Sequence, residues 1–183
     1  MSTTSLRNDH KLIEKVLNAL DVTVSLLNEG KQIPEQILIP TIDFIQNFTH
    51  VCHHTKEEEG LFPALGKTGM PTQMGPISRM ILEHKITKQL ADNIESSAKL
   101  YIQSGTSDEL IPSLQNYVNH VRDHLWKENN RLFMMADSRL IDVSKNVDEQ
   151  LRKIEQNKLD ELGKSRSEYE KLASDLENFT SKI

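Results

Sequence analysis

One cysteine, Cys52, in 183 residues leaves no partner for an internal disulfide and no basis for a cysteine-rich zinc site. The plain reading of Cys52 is a small buried side chain. Seven glycines and six prolines are few, and they fall in short clusters, as expected for long helices joined by brief loops. No apolar run approaches the ~20 residues that a membrane span requires. The polar start Met1-Ser2-Thr3-Thr4-Ser5 lacks the core of a signal peptide. The expectation is a soluble, cytoplasmic protein with no membrane partner. Positive charge is also scarce. With 22 basic against 27 acidic side chains the formal charge is −5, and a nucleic-acid partner is not expected, because such partners select basic surfaces.

What is present is helical periodicity. The breaks at Gly30–Pro34, Gly66–Pro76 and Ser104–Asp108 divide the chain into four segments, the first spanning about residues 5–28. Each repeats apolar residues at steps of three and four, as in Leu110, Leu114, Tyr117, Val118 and Val121. Short connections make neighbouring helices antiparallel. The expected fold is all-α: a left-handed, up-down-up-down four-helix bundle over residues 1–137. Beyond Asp137 the chain is highly charged but keeps Leu151, Ile154, Leu159, Leu162 and then Tyr169, Leu172, Leu176 at helical spacing. Residues 138–183 are therefore expected to add one or two helices packed on or beside the bundle.

The seven histidines are not scattered. His10 lies in the first helix, His50, His53 and His54 in the second, His84 in the third, and His120 and His124 in the fourth. Imidazole and carboxylate together suit borderline divalent metals. A duplication sharpens the pattern: residues 50–58 and 120–128 both read His-Val-x-x-His-x-x-x-Glu. Residues four apart share a helix face, so His54 with Glu58, and His124 with Glu128, can each aim an imidazole and a carboxylate at one interior point. Two such pairs suggest two metals, with His10 and His84 completing the shell.

The register of the second helix has two solutions, because His53 and Glu57 have the same spacing as His54 and Glu58. Counting back from His124 by three, six and ten gives Val121, Val118 and Leu114. The same steps from His54 give Val51, Phe48 and Phe44, whereas from His53 they give His50, Asn47 and Asp43. That favours His54 and Glu58. Counting forward points the other way, since Glu57 leads to Leu61-Phe62 by the step that takes Glu128 to Leu132-Phe133. With the favoured register His53 is expected to be exposed. The remainder of Glu57-Glu58-Glu59 then reads as a solvated face, and His50 and His120 as packing residues. Glu14, four residues after His10, is expected to orient a ligand. Phe44, Phe48, Phe62, Trp126 and Phe133 read as core.

Over about residues 6–137 the sequence resembles the hemerythrin family in its His-His-Glu cation-binding form. The likeness is carried by Asp9-His10-Lys11-Leu12-Ile13-Glu14, by His54 to Glu58 with Leu61-Phe62-Pro63, by Met74-Gly75-Pro76-Ile77-Ser78 leading to Glu83-His84, and by His124 to Glu128 with Leu132-Phe133. The resemblance implies a bundle holding two iron ions, with a bridging oxo or hydroxo group and an open position for oxygen, nitric oxide or peroxide. Carried over residue by residue, the ligands would be His10, His54, Glu58, His84, His124 and Glu128. Oxygen-carrying members use five histidines, a glutamate and an aspartate, and the difference argues against reversible oxygen carriage. Residues 74–78 and Glu128-Asn129-Asn130 are also similar to the bacterial di-iron proteins that repair iron–sulfur centres.

The functional expectation is a non-haem di-iron protein that senses or reacts with a small diatomic ligand or peroxide. Iron delivery for cluster repair and iron buffering are the nearest alternatives; a structural bundle without metal is the remote one. A protein partner, if there is one, is expected to dock on the C-terminal helices.

Overall fold

The computed structural model describes residues 1–182, and among these the secondary structure is entirely helical. Six rods follow one another: α1 (Thr4–Asn28), α2 (residues 35–67), α3 (Pro76–Ser104), α4 (residues 110–139), α5 (Ser144–Leu162) and α6 (Arg166–Ser181). The first four form the bundle. α4 packs against both α1 and α3, and α2 lies against α3. No helix among the described residues is long and apolar enough to cross a membrane.

The apolar stripe of α1 shows why the rods pack. Leu6, Ile13, Leu17, Leu20, Val24 and Leu27 fall on one side and are buried. The ends follow from local chemistry. Pro34 precedes α2 in extended conformation, and Pro76 opens α3 at a position where its missing N–H is not needed. Gly105 closes α3 at φ 76°, a left-handed conformation that glycine adopts without strain, with its N–H on the carbonyl of Tyr101 at 2.8 Å.

Two rods depart from α geometry. Within α2 the segments Phe44–His54 and Lys56–Leu61 are π-helical, and within α4 so is Glu128–Leu132. Each lies at or beside one of the duplicated histidine–glutamate motifs. The apolar interior is likewise divided at this level. One cluster contains Leu12 to Leu27, Phe44, Phe48, Cys52, Ala91, Ile94 and Val121. The other contains Leu6, Leu61, Phe62, Ile77, Met80, Leu132 and Phe133. Along the bundle helices His10, His53, His54, His84 and Glu128 fall between the two. Of the aromatics expected in the core, Trp126 is the exception: it is 53 % exposed, with the guanidinium of Arg131 stacked 5.5 Å from its ring.

The two C-terminal rods close over the α1–α2 side. α5 lies along the π-helical part of α2, and α6 packs on α1 and the start of α2. Tyr169 of α6 meets the rings of Phe44 and Phe48 at 5.9 and 5.3 Å between centroids. The close approach of α5 depends on Gly60, where a Cβ would stand 2.5 Å from Cδ2 of Leu151 and 3.1 Å from Cδ1 of Ile154. Gly60→Val is expected to lower unfolding stability by about 1–3 kcal/mol, the usual range for overpacking, read from denaturant melts. Gly60→Ala should lose less, because the Leu151 tip can turn and alanine favours helix by about 1 kcal/mol. An undisturbed Gly60→Val protein would mean that α5 does not lie against α2 in solution.

Candidate metal centre

All four bundle helices deliver side chains to the gap between the apolar clusters. α1 gives His10; α2 gives His53, His54 and Glu57; α3 gives His84; α4 gives His124 and Glu128, and all seven are buried. Their donor atoms form three overlapping groups, each with every atom within 4.8 Å of the others: His54, His84 and His124; His10, His53, Glu57 and Glu128; and Glu57, His84, His124 and Glu128. The two carboxylates therefore belong to both sides. Oε2 of Glu57 is 3.1 Å from Nε2 of His84 and 3.9 Å from Nε2 of His53. Glu128 places Oε2 3.3 Å from Nε2 of His10, and Oε1 3.3 Å from Nε2 of His124 and 3.7 Å from Nε2 of His84.

Of the residues singled out in the sequence, His10, His54, His84, His124 and Glu128 meet in this cluster. Glu58 does not share it: its side chain is 42 % exposed and accepts a hydrogen bond from Nδ1 of His84 at 2.7 Å, on the outer side of that ring. Glu57 occupies the inner position instead. His53, expected on the surface, is fully buried. The physical reason is the π-helical geometry of Phe44–His54 and Lys56–Leu61. Its wider turn admits one more residue than an α-turn, so the adjacent His53 and His54 both reach the interior.

The five rings share an orientation. In each, Nδ1 engages a group on the outer side, which leaves Nε2 for the centre. The partners are Asn129 Oδ1 for His10 at 2.9 Å, Asp9 Oδ2 for His53 at 3.2 Å and His50 Nδ1 for His54 at 3.3 Å. Glu58 serves His84, and Glu83 Oε2 serves His124 at 3.1 Å. Such bonds fix the tautomer and ring plane of a metal-binding imidazole. Asp9, Glu83 and Asn129 are immediate sequence neighbours of His10, His84 and Glu128, the one signal by which they could have been found. His120 donates from Nε2 to the backbone carbonyl of Glu83 at 3.1 Å, and Glu14 lies exposed, away from the cluster.

The electrostatics of the cluster are set by burial and by its own carboxylates. Burial opposes a charge on His84, yet Glu128, Glu57 and Glu58 around it hold its pKa well above 6.5. His54, stacked on it at 3.9 Å, is driven well below 6.5 by burial and by His84, His53 and His124. Burial would raise the carboxyl of Glu128, but His124, His10 and His84 hold it well below 4.5. Even so, both oxygens of Glu57, both oxygens of Glu128, and Nε2 of His84 and His124 have no hydrogen-bond partner among the described residues. They approach one another at ion-pair distances without hydrogen-bond alignment. Buried polar atoms are rarely left so. Lone pairs of imidazole and carboxylate converging on one dry interior suit a borderline divalent metal, and the residues present fit one.

Behind His53 lies a second buried group of charges. Lys56, fully buried, donates to Oδ2 of Asp9 at 2.6 Å and to Glu155 of α5. Arg166 of α6 uses Nη1 to reach Oδ1 of Asp9 at 2.8 Å and Oε1 of Glu155 at 2.7 Å. Removing one partner of a buried pair strands the other charge, at about 3–5 kcal/mol. Lys56→Ala is therefore expected to destabilise the metal-free protein by that amount in urea melts run with chelator. A loss below about 1 kcal/mol, the range of surface pairs, would place the network in contact with solvent.

The geometry agrees with the comparison to known families. The family profile described as Hemerythrin HHE cation binding domain matches residues 1–136. No curated protein and no solved structure matches the chain. The profile covers the four bundle helices and the seven clustered side chains alike, and the chain belongs to the hemerythrin HHE cation-binding domain family.

Proposed function

We propose that the cluster is a non-haem di-iron centre that binds or reacts with oxygen, nitric oxide or peroxide. His10 and His53 would hold one ion and His54, His84 and His124 the other, with Glu57 and Glu128 shared between them. The observation that carries this reading is the set of six buried, unpartnered donor atoms on Glu57, Glu128, His84 and His124. Seven protein groups on two ions would leave positions for a small ligand, and reduced iron there supplies electrons to it.

The protein's own residues define what can arrive. All seven clustered side chains are buried, which favours a ligand of two or three atoms over a larger substrate. Phe133 stacks on His10 at 4.9 Å and Phe62 on His84 at 5.9 Å, so apolar rings exclude water from one end of the centre. Glu58 is half-exposed and joined to Nδ1 of His84. It can hold a proton at that atom and exchange it with solvent.

Metal analysis of protein grown with iron tests the site and its register together. About two irons per chain are expected, as in other di-iron carboxylate bundles. Glu57→Gln should lose most of the metal and Glu58→Gln should keep it, because only Glu57 reaches both sides. Equal iron in the two variants would remove Glu57 from the centre.

Mixing the di-ferrous protein with peroxide or nitric oxide tests the chemistry. Consumption at least about tenfold faster than by free ferrous ion, a change of about 1.4 kcal/mol in barrier, supports the reactive reading. Restoration of a damaged iron–sulfur enzyme by the loaded protein, with no such turnover, would instead favour iron delivery.

A further inference from the structure

One of the five rings of the centre, His53, is oriented through a residue held from outside the bundle. On the side of His54, His84 and His124, the outer nitrogens rest on His50, Glu58 and Glu83, all within the bundle. Glu83 is in turn fixed by Arg79 at 2.7 Å and Lys127 at 2.9 Å, also bundle residues. On the other side, Nδ1 of His10 rests on Asn129 of the bundle, but Nδ1 of His53 rests on Oδ2 of Asp9, and Asp9 is gripped from outside the bundle. Its Oδ1 accepts from Arg166 of α6 at 2.8 Å, while its Oδ2 shares Lys56 with Glu155 of α5. Arg166 also donates to Glu155 at 2.7 Å, closing the loop, and its guanidinium lies 5.6 Å from the ring of Phe48.

We infer that Arg166 and Glu155 are positioning residues for one half of the metal centre, so that the docked C-terminal helices set how firmly the ion at His10 and His53 is held. The physical basis is the chain of contacts itself. A carboxylate that accepts from the outer nitrogen of an imidazole keeps the inner nitrogen free, aims it, and makes it a stronger donor. Asp9 can do so only while its rotamer is pinned, and two of the groups that pin it, Arg166 directly and Glu155 through Lys56, come from beyond the family-matched segment. Nothing comparable links α5 or α6 to Glu58, Glu83 or His50 in the hydrogen bonds of the described residues. The inference rests on the two-ion reading above.

The test loads the full chain anaerobically with ferrous iron and follows its release to a chelator. Arg166→Ala should release one of two equivalents about 10–100-fold faster, the range typical of lost outer partners of metal ligands. The second equivalent should stay within about twofold of its wild-type rate. Arg166→Lys should restore most of the retention, since a single nitrogen, Nη1, makes both bonds and an amine can take its place. Glu155→Gln, which keeps the bulk of the side chain, should accelerate the same equivalent by a smaller factor. It serves as the second probe where Arg166→Ala folds poorly, and melts of the metal-free variants report that directly. Equal acceleration of both equivalents would mean general loosening, and unchanged release of both would mean that the network does not reach the centre; either overturns the inference. Wild-type protein that fails to take up two equivalents refutes the two-ion reading before any variant is compared, and the inference falls with it.

Discussion

Two carboxylates, Glu57 and Glu128, sit fully buried in the middle of a helical bundle with no hydrogen-bond donor among the described residues aligned to any of their four oxygens. Each buried charge costs several kcal/mol unless it is compensated, and the rest of the site is arranged around that constraint. Five imidazoles surround the pair. Two of them, His10 and His84, have pKa values raised by these carboxylates against the pull of burial. Protons on those rings are one form of compensation and metal ions are another, because both occupy the same inner lone pairs. The outer partners make the second form available. With Nδ1 already engaged on every ring, the inner nitrogens face the centre, where Nε2 of His10 and Nε2 of His53 lie 3.2 Å apart and those of His84 and His124 have no hydrogen-bond partner among the described residues.

The duplicated His-Val-x-x-His-x-x-x-Glu motif made much of this visible from the sequence, since a repeat on two of four amphipathic helices can serve few purposes besides a shared interior point. The register was less legible, and for a physical reason. Apolar residues behind the motif are in phase with His54, and apolar residues ahead of it are in phase with Glu57. An α-helix cannot satisfy both, because the two phases differ by one residue. The π-helical run through α2 satisfies them by inserting that residue. The contradiction between the two counts was itself the signal of the irregular helix. Contacts between helices were harder to foresee. Asp9, Asn129 and Glu83 find their histidines across helix interfaces, and no spacing rule within one helix reports on that. Trp126 looked like core because helical spacing does not separate a boundary position from an inner one.

The extension changes how the bundle should be regarded as a physical unit. The family-matched segment ends at residue 136, yet the buried charges beside His53 are balanced only when residues up to 166 are in place. Asp9 and Lys56 belong to the bundle, Glu155 and Arg166 to the extension, and the four alternate in sign around a closed loop of contacts. Such a loop contributes modest net stability, since desolvation offsets most of the attraction. What it does provide is geometry: a buried, fully paired carboxylate has one orientation, and Asp9 passes that orientation to His53. Gly60 allows the arrangement by letting α5 approach α2 closely enough for Glu155 to reach Lys56. The same wide-turned stretch of α2 thus carries Lys56 toward the extension and Glu57 toward the centre. Adjacent residues on one irregular helix join the family-matched segment to the helices that follow it.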